Sequence, residues 1–516
     1  MTRLRLPIGI QTFREIREEG HYYVDKTGFA LRLIEQGKYY FLSRPRRFGK
    51  SLFLDTLAEL FAGNERLFEG LAAQGRWDFA RRFPVIRLSF GGGVVQSPEA
   101  LDARIRDLLR INMEALDVAV PQHLDISGTF AELIRRAATA RGERVVVLID
   151  EYDKPILDNL ARPETARAIR DGLRNLYSVI KDSDAHLRFA FLTGVSKFSK
   201  VSLFSGLNNL NDITVDAAYS AICGYTEADL DTVFAPELPG LDRDAIRHWY
   251  NGYNWTGEAV YNPFDVLLLF DKRQFRPWWF ETATPTFLVD LLLERQVFLP
   301  RLGQLLASEA LLSSFDVGRI ATEALLFQTG YLTIDSVRQV GALLQYRLRY
   351  PNQEVFASLN GAMLEPLRNF DSAAPEQTAR LYDLLLANDF AGMQQLFTAF
   401  FHSIPGDWYC NNRIARYEGF YASVFYAYFA ALGLDLRTEE ASNAGRLDMA
   451  LRFNGQVYLF EFKVVELAPE GRALQQLKDK GYAEPYRGDG RPIHLIGVEF
   501  SRKHRSVVGF EVETLV

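Results

Sequence analysis

Cysteine is nearly absent from this chain: there are two, Cys223 and Cys410, among 516 residues. Two thiols so far apart make neither a disulfide framework nor a metal cluster, so a reducing compartment is expected. Histidine is scarce as well, and its seven copies show no H-x-x-x-H spacing, which argues against a helical zinc site. Long apolar runs are missing. The longest uncharged one, Phe420 to Leu434, falls about five residues short of the ~20 that cross a bilayer and is bracketed by Glu418 and Asp435. Residues 1–13 hold no apolar stretch of the secretory-signal kind. There is no internal repeat and no low-complexity tract. A net charge of −6 excludes a global basic field, so contact with nucleic acid must come from local patches. These absences together predict a cytoplasmic protein that does not engage membranes.

At about 150 residues per domain, the length suggests roughly three domains. Buried-strand patterns at 38–43, 84–90, 145–149 and 188–193 alternate with helical ones, among them a helix from Ser51 and another over 164–181. Alternation of that kind predicts a doubly wound parallel α/β sheet, placed at 1–220. Residues 221–403 read as mostly helical, interrupted by a β-ribbon over 324–350 that includes Tyr331-Leu332-Thr333-Ile334 and Tyr346-Arg347-Leu348-Arg349-Tyr350. Ile404-Pro405-Gly406-Asp407 is a candidate hinge, and 404–516 reads as a separate α/β domain. Trp249-Tyr250-Asn251-Gly252-Tyr253 and Trp278-Trp279-Phe280 read as packing motifs, with the role of the first left open.

Between the first strand and its helix lies Ser43-Arg44-Pro45-Arg46-Arg47-Phe48-Gly49-Lys50-Ser51. A strand–loop–helix setting is what a P-loop requires. Backbone N–H groups at the helix start, Gly49 among them, would face the phosphates of ATP. Lys50 would reach the β- and γ-phosphates and Ser51 would ligate Mg²⁺. Arg44 stands where G-x-x-x-x-G-K-[ST] has its first glycine, which puts nucleotide affinity in question, and the plain alternative is a surface loop with a chance Gly-Lys-Ser. The strand Val145–Ile149 ends in Asp150-Glu151. A carboxylate at the carboxyl end of a buried strand sits where open α/β sheets bind ligands. Asp150 would hold Mg²⁺, directly or through water, and Glu151 would polarise the attacking water. Thr193 is a candidate γ-phosphate sensor or an ordinary strand-end threonine. Arg46 and Arg47 would contact phosphate or acidic partners, or neither.

Near the C-terminus, Leu447–Phe453 and Val457–Lys463 alternate as strands around Asn454-Gly455. Asn-Gly is a strong hairpin signal. With a two-residue turn, Phe453 opposes Gln456, and counting outward sets Asp448 opposite Glu461. Lys463 shares that face, two residues on. Leu447, Met449, Leu451, Tyr458, Phe460 and Phe462 point the other way. Two like charges side by side are unfavourable unless a cation lies between them. Oxygen ligation by Asp448 and Glu461 suits Mg²⁺ or Mn²⁺. Lys463 would position or deprotonate a water, or stabilise a developing phosphorane charge, which is the equipment for phosphodiester hydrolysis. The plain alternative is a solvated hairpin face with Lys463 paired to one carboxylate. Glu418 begins an aromatic-rich helix upstream, and Gln476 and Lys480 lie a turn apart downstream, with Tyr482 following.

The order helix, strand, Asp-bearing strand, Glu-x-Lys strand, helix with a polar Gln resembles the PD-(D/E)XK nuclease superfamily, on Asp448, Glu461 and Lys463, with Glu418 and Gln476 at the flanking helix positions. Taken with Arg46–Ser51, Asp150–Pro155, Thr193–Lys200, Tyr250–Tyr253, Tyr261-Asn262-Pro263 and Gly445–Asp448 in one order, the chain resembles the bacterial family that joins an AAA-ATPase-like domain to a C-terminal PD-(D/E)XK nuclease domain. The resemblance spans nearly the whole length. It implies a restriction-endonuclease-like C-terminal fold, ATP and a divalent metal, and a group-wide lack of the first P-loop glycine.

Three functions stay open. One is a metal-dependent nuclease, acting on DNA, gated by nucleotide. The second is an ATP switch whose nuclease-like domain binds a partner without cutting. The third is an ATPase whose C-terminal domain holds nucleic acid. Residues 401–516 are nearly balanced in charge, and Arg502-Lys503-His504-Arg505 is their one clear basic run, so weak or partner-dependent binding is expected, with Arg347 and Arg349 as further contributors. A homo-oligomer is one arrangement open to such an ATPase.

Overall fold

A computed structural model describes residues 3–197, 207, 209–283, 286–295, 297–312, 321–365, 374–404, 418–442 and 445–515. These group into two compact units, Met1–Trp279 with Leu305–Asn352, and Phe280–Gln304 with Gln353–Val516. Residues 221–403 are thus divided between the two.

In the first unit, Tyr39–Ser43 (β1), Val85–Ser89 (β2), Val145–Asp150 (β3), Leu187–Gly194 (β4) and Asn211–Asp212 (β5) form a five-stranded sheet in the order β2-β3-β4-β1-β5. All its pairings are parallel. Every residue of β1 and β3 is buried, as continuous apolar runs covered on both faces must be. The pairings Ser43↔Gly194 and Ile149↔Leu192 align the carboxyl ends of β1, β4 and β3 along one sheet edge. Helices Lys50–Phe61 (α1), Pro98–Leu116 (α2), Ile126–Arg141 (α3) and Pro163–Asp182 (α4) complete the doubly wound layer. Ser97 and Asp125 cap α2 and α3 by accepting from Ala100 N and Gly128 N, which satisfies orphan donors at the helix start. In α4, Ala166, Ile169, Leu173, Leu176 and Ile180 recur at helical spacing as a buried stripe.

The same unit carries helices Pro263–Lys272 (α5) and Thr322–Thr329 (α6), and a three-stranded antiparallel sheet of Leu306–Ser308 (β6), Thr333–Val340 (β7) and Leu343–Arg349 (β8) in the order β6-β8-β7. The ribbon expected over 324–350 therefore begins later, because residues through Thr329 are helical. Ala324–Gln328 are buried on every side, so no periodicity marked them as helix. Gly330 (φ 93) ends that helix in the left-handed region.

The second unit contains Phe390–Ser403 (α7), Glu418–Ala431 (α8) and Arg472–Asp479 (α9) beside a five-stranded sheet. Its strands are Asp435–Ser442 (β9), Gly445–Phe453 (β10), Gln456–Val465 (β11), Ile493–Ser501 (β12) and Ser506–Leu515 (β13), ordered β13-β12-β11-β10-β9. Only β11 and β12 pair in parallel; the others are antiparallel. Asn454 (φ 45) and Gly455 (φ 74) both lie in the left-handed region, as a two-residue type I′ turn demands. One face of β11 meets α8, with Phe462 and Phe460 against Phe425 and Phe429 at 5.2 and 5.3 Å between ring centres. On the other, Val457 and Leu459 pack with Leu477, Tyr482 and Ala450.

Candidate functional site

The first candidate site forms where β1 turns into α1. Arg47 (φ 68) and Gly49 (φ 88) are both left-handed, a geometry that turns successive N–H groups to one side as an anion-binding nest. Among the described residues, the N–H groups of Arg46, Arg47, Phe48 and Gly49 meet no acceptor. Lys50 is buried, and its Nζ donates to Arg44 O and Pro45 O, both at 2.9 Å. Burial lowers its pKa, opposed first by the Asp150 carboxylate. Asp150 is buried at the end of β3 and its Oδ1 accepts from Glu151 N at 3.0 Å. Glu151 has left-handed φ 50, and burial followed by the charge of Asp150 raises its pKa. Ser51, half-buried, is the second residue of α1. Thr193 is buried near the end of β4, and its Oγ1 has no partner among the described residues. Lys50, Asp150 and Glu151 thus converge electrostatically, and Thr193 lies on the same sheet edge.

Arg44 does something the sequence did not reveal. It is 0% exposed. Its guanidinium donates to Ser43 O, Thr214 O and Tyr219 O and stacks 4.0 Å over the Trp255 ring. Burial pulls its pKa down to about 10. The side chain ties the loop to the segment after β5. Arg46 and Arg47 are exposed; the Arg47 guanidinium lies 5.0 Å over Phe264, and Trp279 Nε1 donates to Arg46 O at 3.1 Å. Asp153, passed over in the sequence, is buried and accepts from Val195 N, Ser196 N and Ser196 Oγ, joining the turn after β3 to the end of β4. Its sequence signal was its place within the Asp150–Pro155 motif, to which no role was attached at this position. Phe198–Lys200 of the motif that starts at Thr193 lie outside the described residues.

The second candidate site lies on the α9 side of β11. The β10–β11 ladder runs from Phe453↔Gln456 to Met449↔Phe460. It stops one pair short of the expected Asp448–Glu461 opposition. There Asp448 Oδ2 itself accepts from Phe462 N at 2.9 Å, so a side chain replaces the backbone rung. Leu447, expected on the aromatic face, joins the cluster of Ala450 and Leu459. Glu461 is 1% exposed, and its Oε1 accepts from Lys463 Nζ at 3.1 Å and from Gln476 Nε2. This face is covered by α9 and is not the solvated hairpin face of the plain alternative. Tyr482 is buried beside the cluster; burial first, then the charge of Glu461, raises its pKa. Asp448, Glu461, Lys463 and Gln476 are therefore brought together, with Tyr482 an addition. Glu418 is the first residue of α8, and its side chain lies outside the described residues.

Two residues of β12 dock α9 on this face. Glu499, 2% exposed, accepts from four backbone N–H groups: Glu470 and Gly471 on Oε2, Arg472 and Ala473 on Oε1. Gly497, paired with Glu461, has no room for a side chain, since a Cβ would stand 2.3 Å from Leu474 N. Among the described residues no group of three or more His, Cys, Asp or Glu converges as a metal site. The donor set at Asp448 and Glu461 is two hard carboxylates, which fits Mg²⁺ or Mn²⁺ and not a soft metal.

A parallel P-loop sheet with an acidic strand end, followed by a mixed sheet with a buried carboxylate–lysine cluster, defines a chain that combines ATPase-like and nuclease-like parts. Residues 7–204 match a family model described as a predicted AAA-ATPase, and 416–510 match the PD-(D/E)XK nuclease superfamily. The chain is 71% identical over 516 residues to the "uncharacterized protein in vnfD 5′region" of Azotobacter chroococcum mcd 1, with 100% of each covered. It belongs to the family that joins an AAA-ATPase-like domain to a C-terminal PD-(D/E)XK nuclease superfamily domain. Among solved structures, the Aeropyrum pernix ORC1 protein in complex with DNA matches at 15% identity over 68% of this chain and 91% of that one, with a TM-score of 0.26, too loose a likeness to bear on either site. No helix among the described residues is long and apolar enough to cross a membrane.

Proposed function

We propose that this protein is an ATP-binding, metal-dependent nuclease of the cytoplasm that hydrolyses phosphodiester bonds in DNA under nucleotide control. The observation that carries the reading is Glu461, a carboxylate 1% exposed that shares one oxygen between Lys463 and Gln476 with Asp448 alongside. Burying an ionisable group is costly, and charged groups buried together in this way are candidates for a functional site. Asp448 and Glu461, with Glu418 as a third acid, would hold a divalent cation. When bound, Mg²⁺ supplies Lewis-acid stabilisation of the phosphate oxygens and a more acidic water. Lys463 orients that water or takes its proton, and Gln476 keeps Glu461 in place. In the first unit, the nest of Arg46–Gly49 and Lys50 would take the β- and γ-phosphates, Ser51 and Asp150 the cation, Glu151 the attacking water and Thr193 the γ-phosphate. Nucleotide state would bias the conformations of the chain and so gate cleavage.

The test is cleavage of plasmid, single-stranded DNA and RNA with Mg²⁺ or Mn²⁺, with and without ATP. Wild type runs beside Asp448→Ala/Lys463→Ala and Lys50→Ala. Cleavage by wild type that the C-terminal double variant loses supports the reading, and Lys50→Ala reports ATP gating. ATP binding without cleavage of any substrate would favour a switch protein that recruits a partner.

A further inference from the structure

The β7–β8 ribbon carries a continuous exposed stretch. Asp335–Val340 and Gly341–Leu344 are all exposed. Its apolar side chains gather at the tip, where Leu343 is 67% and Val340 47% exposed. From Ser336 to Leu348 there is no acidic residue, in a chain of net charge −6. The pairings Ser336↔Arg347, Arg338↔Gln345 and Val340↔Leu343 put two guanidiniums and a glutamine on the shaft of one face and two apolar side chains at its end. Arg338 Nε donates to Gln345 Oε1 at 2.6 Å, and neither Arg338 nor Arg347 has an acidic partner among the described residues. Arg349 differs: it is held by Gly252 O, Tyr350 O, Pro351 O and Asp335 and belongs to the base of the ribbon.

We propose that this ribbon is a DNA-binding arm. Arg338 and Arg347 contact backbone phosphates of a duplex, and Val340 and Leu343 press against the bases. The proposal rests on the nucleic-acid reading above. β6 pairs with Gln345–Arg347, so the ribbon is two-stranded only at its tip, Gln339–Leu344, and a two-stranded tip is narrow enough for the grooves into which β-ribbon readers place their strands. An exposed apolar tip on a cationic shaft is the arrangement by which DNA-bending proteins insert wedges between base steps. Left uncovered, the same tip and the unpaired edge of β7 invite aggregation, so an occupant of matching charge accounts for both features.

The test uses the full chain and a short labelled DNA duplex, with EDTA present to prevent cleavage. Arg338→Ala/Arg347→Ala is expected to weaken binding and to reduce the slope of log affinity against log salt by about 2, at ~0.9 per phosphate contact. Val340→Ser/Leu343→Ser is expected to keep that slope and lose the fluorescence rise of a 2-aminopurine unstacked in the duplex. All these positions are exposed, so unfolding temperatures should stay at the wild-type value. Wild-type affinity and salt slope in the arginine variant would overturn the arm. So would a change of oligomeric state in the tip variant with DNA binding intact, since the tip would then be a self-association surface. DNA binding through the ribbon by a protein that never cuts leaves the arm standing and removes the nuclease. Cleavage untouched by ribbon variants that also bind normally removes the arm and leaves the nuclease.

Discussion

Replacing Glu499 should loosen the second candidate site without touching any residue proposed to meet the substrate. Each carboxylate oxygen of Glu499 takes two backbone N–H bonds from the start of α9. Hydrogen bonds to charged groups contribute about 1.5–3 kcal/mol each, but these four share one side chain and are far from additive. Water can also reach part of the helix start, because Glu470 and Arg472 are exposed. Glu499→Ala should therefore cost about 3 kcal/mol, comparable to breaking a buried polar contact and losing a helix cap together. Glu499→Gln keeps one acceptor oxygen and turns an NH₂ toward the other pair of donors, for a loss of about 2 kcal/mol. Urea unfolding followed by aromatic fluorescence measures both. In cleavage, both variants should fall toward the level of Gln476→Ala, because α9 carries the glutamine that donates to Glu461. Glu499→Gln combined with Gln476→Ala should lose little more than either alone. Losses that multiply independently, or a Glu499→Gln protein as stable and active as wild type, would refute the idea that Glu499 positions the site through α9.

Other expectations follow from the same geometry. Gly497→Ala places a Cβ 2.3 Å from Leu474 N, so α9 must lift; destabilisation of about 1–3 kcal/mol, as for an overpacked core, and reduced cleavage with Glu499 intact are expected. Arg44→Gly restores the usual P-loop residue, yet should destabilise the first unit by about 3 kcal/mol or more, since it abandons three carbonyls and the Trp255 ring; calorimetry beside an ATP-binding titration separates the two effects. Glu151→Gln should bind ATP and fail to hydrolyse it. Burial raises the folded pKa of Glu151 above 4.5, so its contribution to stability is complete below pH 4.5 and is lost as pH rises through the folded value. The gain in unfolding temperature of Glu151→Gln over wild type should accordingly grow with pH above 4.5 and level off once the folded group is ionised. A gain that shrinks with rising pH would contradict that sign.

Local rules were enough for much of this chain. Val145–Asp150 is an apolar run whose length and composition dictate a doubly covered strand, and a carboxylate at its end follows from the same residues. Asn454-Gly455 sets the hairpin register because few residue pairs accept two left-handed conformations in a row, and that register carries Asp448, Glu461 and Lys463 to neighbouring positions. The tertiary structure decided what depends on distant partners. Whether Arg44 spoils or braces the phosphate loop turns on carbonyls of Thr214 and Tyr219, far along the chain. Nothing local to Glu499 or Gly497 sets them apart; their roles appear only where α9 lies across them. Ala324–Gln328 lacked a periodic signal because they are buried all round, so only packing distinguished helix from ribbon. Sequence acts through neighbours a few positions apart, where backbone sterics and side-chain alternation are strong; the burial of a charge, and the partners that make burial tolerable, are properties of the assembled fold.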